Sequence, residues 1–76
     1  MSILPVLSGR DVVRVFERLG WSVARQRGSH IILIKPDHIA TLSVPDHKEV
    51  AKGTLRSLIR AAGLTAEAFI AQAAEL

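Results

Sequence analysis

Three histidines, His30, His38 and His47, are the side chains of this 76-residue sequence best suited to moving a proton near neutral pH, and no cysteine competes with them. His30 closes the tight segment Gly28-Ser29-His30 and has Arg25, Arg27 and Lys35 as its basic neighbours in sequence. A histidine among cations suits acid or base work on a phosphodiester. RNA is cleaved when its 2′-hydroxyl loses a proton and attacks the adjacent phosphorus. That reaction needs a proton acceptor, a donor for the departing 5′-oxygen and positive charge for the developing phosphorane. A positioned general base contributes typically about 10²–10⁴-fold. On residue pattern alone a lone histidine at a strand start is more often structural, so pattern leaves both roles open.

The other polar residues divide in the same way. His47, after Val44-Pro45-Asp46, reads as a second proton-transfer group, a phosphate contact or a loop residue, whereas His38 beside Asp37 reads as a solvated turn residue. Arg25, Arg27 and Lys35 are the preferred phosphate contacts. Lys48 and Lys52 join them as RNA-binding candidates beside a second helix whose first amides can receive an anion. Arg10, Arg14 and Arg18 recur at i, i+4 and i+8 and read as a solvated helix face. Trp21 reads as core rather than as a stacking platform, and the scarcity of aromatics argues against recognising single strands by base stacking. His30, His38, His47, Asp37, Asp46 and Glu49 lack a diagnostic ligand spacing, so neither a metal nor another cofactor is expected.

These residues need a scaffold. Ser8 followed by Asp11 at the third helical position, with Leu7 and Val12 at the staple positions, predicts a helix start. Val12, Phe16 and Leu19 supply the apolar face, Val13 and Val15 widen it, and Gly20 marks the stop. Residues 21–26 alternate with period two, Arg27-Gly28-Ser29 is a turn, and the β-branched run 30–35 is a second strand. Pro36-Asp37-His38 turns the chain into a third strand over 39–45, ending at Pro45. A second helix is expected between Val50 and Ala62 with Leu55, Leu58, Ile59 and Ala62 inward, and Thr65 caps a last one running to about Glu75. The order α-β-β-β-α with a short extra helix predicts an α+β two-layer sandwich, because an antiparallel meander must cover one face and the helices are the available cover.

Composition narrows the functional classes. The length fits a single domain over 1–76 with no room for a separate catalytic module. Without cysteine there is no disulfide framework and no thiolate metal site, which favours a reducing cytoplasm. Met1 to Leu7 has no Lys or Arg ahead of its short apolar run and is broken by Pro5, making it a poor signal peptide, and no run reaches membrane-spanning length. Ten basic against seven acidic residues favour a polyanionic or acidic partner.

Three separated segments follow one another in order: residues 25–30 (Arg-Gln-Arg-Gly-Ser-His), residues 44–47 (Val-Pro-Asp-His) and residues 53–64 from Gly53 to Leu64. Together they resemble the HicA toxin family over about Leu4 to Ile70. The resemblance implies a fold similar to a double-stranded-RNA-binding domain and an mRNA-cleaving, growth-arresting activity. It also implies neutralisation by a HicB-type antitoxin that covers the active face. The family's catalytic histidine maps onto His30, with Gly28 and Ser29 as the turn that presents it; His47 also occupies a recurrent family position. The rivals are a non-catalytic RNA-binding module of the same fold and an inactive family member that only binds its partner.

Overall fold

The computed structural model describes residues 3–76; Met1 and Ser2, the first residues of the segment read as a poor signal peptide, lie outside them. The element order is α1 (Gly9–Arg18), β1 (Ser22–Arg27), β2 (His30–Ile34), β3 (Leu42–Pro45), α2 (Lys52–Ala61) and α3 (Ala66–Ala73). This is the expected α+β order with its short extra C-terminal helix.

Local signals start and stop the helices where the residue types require. Ser8 Oγ accepts from the Asp11 N–H at 3.1 Å, satisfying one of the amides that the first turn leaves unpaired. At the other end Gly20 takes φ 99°, the Trp21 N–H donates to Phe16 O at 3.0 Å and the Gly20 N–H to Glu17 O at 3.1 Å. That is the paired closure of a Schellman motif. Gly63, at φ 74°, ends α2 in the same way, with the Leu64 N–H donating to Ile59 O at 3.1 Å. Thr65 Oγ1 caps α3 through the Ala68 N–H at 3.1 Å. The start of α2 differs: Ala51 supplies no side-chain cap and the helix begins at Lys52. Val50 precedes it as a buried anchor whose N–H donates to Leu7 O at 2.8 Å.

The three strands form one antiparallel sheet in the order β1-β2-β3. Its inner face carries Ile31, Leu33, Leu42 and Val44 into a core with Val12, Val15 and Phe16 of α1, Leu55 and Ile59 of α2, and Phe69 of α3. The Phe16 ring joins the layers, 5.2 Å from Phe69 and 6.3 Å from Trp21 between centroids. Leu4, 2% exposed, completes this core from the N-terminal segment, which Lys52 Nζ pins by donating to Leu4 O at 3.0 Å.

Two sequence expectations about the strands change. The third strand does not span 39–45: it begins at Leu42, because the His38 N–H turns back to Lys35 O and the His38 ring settles 5.0 Å from that of Trp21. The residues between are thereby held off the sheet, and Ile39 is fully exposed. Nor does β1 alternate without interruption. Val23 pairs with Leu33 while Arg25 pairs with Ile32, so Ala24 is an extra residue in the ladder, a β-bulge. Strict alternation would put Arg25 on the face of Val23. The bulge moves Arg25 and Arg27 to the opposite, open face.

Candidate active site

The open face is fixed by pairing. His30 sits across from Arg27 on β1 and from Pro45 on β3, and Ile32, two residues on, sits across from Arg25 and Ser43. Directly paired residues share a face, so His30, Arg25, Arg27, Ser43 and Pro45 all project on the side away from the helices. Arg25 and Arg27 are two residues apart along β1, about 7 Å. Both are exposed, as is His30. The His30 ring bonds through Nδ1 to Ser43 Oγ at 3.2 Å.

The turn that presents His30 is a two-residue hairpin. Gly28 has φ 59° while Ser29 stays at negative φ, the pattern of a type II′ turn, whose first central position favours glycine. Open space surrounds Gly28, so its backbone angle alone sets the glycine requirement. The turn is gripped from behind. The Asp46 N–H donates to Ser29 O at 2.7 Å and Gln26 Nε2 donates to Gly28 O at 3.1 Å. The Asp46 carboxylate gathers three longer contacts at 3.4 Å, one from Gln26 Nε2 and two from the Arg10 guanidinium. The first turn of α1 closes the same corner: the Gly9 N–H donates to His47 O at 2.9 Å, and a Cβ on Gly9 would overlap the Pro45 carbonyl oxygen. Hairpin tip, strand exit and helix start therefore meet at one point.

Sequence-expected residues separate in space. Arg25, Arg27, Gly28, Ser29 and His30 are together at the hairpin end of the open face, and exposed His47 and Lys48 follow Asp46 in the adjoining loop. Lys35 does not flank His30. Five residues along β2 place it about 17 Å away, and its side chain runs close to Gly20. Lys52 is engaged with the Leu4 carbonyl. His38 is not a solvated turn residue: it is half-buried against Trp21, and its Nδ1 accepts from the Ala40 N–H at 3.2 Å. Trp21 is core, 3% exposed, with its Nε1 left without a partner. Of the arginine stripe, Arg10 pairs with Asp46 and Arg14 with Asp11, both as exposed ion pairs of small energetic worth. Among the described residues no three of the histidines and carboxylates come together as a metal site, and no helix is long and apolar enough to cross a membrane.

Sequence reasoning passed over Ser43 and Gly9, and gave no structural task to Gln26 or Asp46, which entered as parts of the family-like segments and, for Asp46, as a metal-ligand candidate. Gly9 at the first helical position was the visible signal, since a glycine there costs helix stability unless something must come close.

A small basic α+β domain that holds a histidine and two arginines on the sheet face away from its helices defines the class. Its family follows from comparison. The model of the HicA toxin of bacterial toxin-antitoxin systems matches residues 9–64, most of the chain, and this chain belongs to that family. A search of the curated proteins finds no match.

Proposed function

We propose that this toxin-family protein is a metal-independent endoribonuclease that cleaves mRNA through His30, arrests translation and growth in the cytoplasm, and is neutralised by a HicB-like antitoxin seated on the open sheet face. The observation that carries this reading is the exposed His30 ring, anchored at Nδ1 and free at Nε2, with Arg25 and Arg27 on the same face. His30 takes the proton of the RNA 2′-hydroxyl; the 2′-oxygen attacks phosphorus; the P–O5′ bond breaks and the departing 5′-oxygen takes a proton from solvent water. A 2′,3′-cyclic phosphate remains. Arg25 and Arg27 stabilise the charge gathering on the phosphoryl oxygens. His47 and Lys48, in the loop tied to the turn through Asp46, extend the basic surface along the substrate.

The test is cleavage of a defined RNA by purified wild type and His30→Ala, each with and without a chelator. The reading expects the variant to lose about 10²–10⁴-fold in rate, a substrate with a single 2′-deoxy position to resist cleavage there, and the chelator to change nothing. Equal cleavage by the variant defeats His30 as the catalytic group. Salt-sensitive binding of intact RNA, with no cleavage by either protein, identifies a non-catalytic module instead.

A further inference from the structure

We propose that Ser43 is a positioning residue for His30: its hydroxyl holds the Nδ1 edge of the imidazole toward β3 and so presents Nε2 as the working base. The inference rests on the reading of His30 as the proton-transfer group. Its geometry comes from the strand register. Pro45, directly opposite His30, offers no side-chain hydrogen-bonding group, and the opposite residue on β1 is a cation, Arg27. Ser43 is the diagonal neighbour on the same face, and its Oγ lies 3.2 Å from Nδ1. Diagonal neighbours on a sheet are within reach of a ring. Among the described residues this is the one hydrogen bond made by the His30 ring. An exposed imidazole without it would sample several rotamers and both tautomers.

Ser43 Oγ accepts from Nδ1–H in the neutral ring, which leaves the lone pair on Nε2. Nε2 takes the 2′-hydroxyl proton, and the resulting imidazolium keeps its Nδ1–H on Ser43. A hydroxyl serves as acceptor in both states, so the ring does not have to turn during the reaction.

The experiment pairs a kinetic and a spectroscopic readout on the full chain. Ser43→Ala, at an exposed strand position, is expected to lower kcat about 10–100-fold, as a misplaced reacting group does, while KM changes less than twofold. Ser43→Thr, which keeps the hydroxyl and suits a strand, restores kcat. Imidazole ¹⁵N spectra of wild type show His30 mainly protonated at Nδ1, and Ser43→Ala shifts the ring toward the Nε2-protonated form. An unchanged tautomer ratio in Ser43→Ala, an unchanged kcat, or failure of Ser43→Thr to restore it overturns the role of Ser43. A tautomer shift in a protein whose His30→Ala variant still cleaves RNA as wild type does would sink the nuclease reading of His30 instead. The spectra decide the Ser43–His30 link even in a protein that cuts no RNA.

Discussion

Two helical glycines should respond in opposite directions to the same substitution, because one is crowded by tertiary structure and the other is not. Gly9 is the first residue of α1 and Gly53 the second of α2. Helix propensity by itself favours alanine over glycine by roughly 0.5–1 kcal/mol in a helix interior, and less at a first turn. Gly53 has nothing within 4 Å of where a Cβ would stand, so Gly53→Ala should stabilise by about 0.5 kcal/mol, a rise in Tm of roughly 2–4 °C. At Gly9 the new Cβ meets backbone: the Pro45 carbonyl oxygen, with Asp46 Cα at 3.0 Å. Backbone cannot rotate away as a side chain can. Relief requires α1 and the Pro45-Asp46 segment to separate, which strains the hydrogen bond from the Gly9 N–H to His47 O. Overpacking of this kind costs about 1–3 kcal/mol and exceeds the propensity gain. A melt followed by far-UV circular dichroism should therefore show Gly9→Ala lower in Tm by roughly 5–20 °C. Since Asp46 also holds Ser29, RNA cleavage by Gly9→Ala should fall at temperatures where the protein is still folded. A Gly9→Ala protein as stable as wild type would refute the close approach of α1 to the end of β3.

Other consequences are open to direct measurement. Arg27→Ala should weaken RNA binding similarly for all sequences and reduce the slope of log affinity against log salt by about one, as the loss of one phosphate contact does; an unchanged slope in a titration from low to moderate salt removes Arg27 from the interface. Trp21→Phe deletes a buried indole N–H that has no partner. The relief of that unpaired donor, about 1–3 kcal/mol, offsets much of the lost packing, so urea unfolding should put the variant within about 1 kcal/mol of wild type; a loss of about 3 kcal/mol or more would show that the N–H is paired in solution.

The helices and turns were legible in the sequence because their signals are local. Ser8 with Asp11, Thr65, Gly20 and Gly63 each satisfy or close backbone groups within a few residues, so their type and spacing determine where α1 and α3 begin and where α1 and α2 end. The Gly28-Ser29 turn belongs to the same category, and so does the α+β order. With the family pattern in residues 25–30, 44–47 and 53–64, the sequence also singled out His30. What it did not contain is which face each strand residue takes once the ladder slips. The bulge at Ala24 brings Arg25 and Arg27 beside His30, and the His38 ring seated on Trp21 after the expected turn leaves β3 to begin at Leu42; the bulge depends on the partner strand and the ring contact on Trp21, neither of them a neighbour in the chain. The same holds for the corner where Gly9, Gln26, Ser29 and Asp46 meet, residues up to 37 apart in the chain, and for Ser43, whose place beside the histidine exists only in the register of β2 against β3. Periodicity specifies an alternation. Only pairing across the sheet decides which side of it faces water.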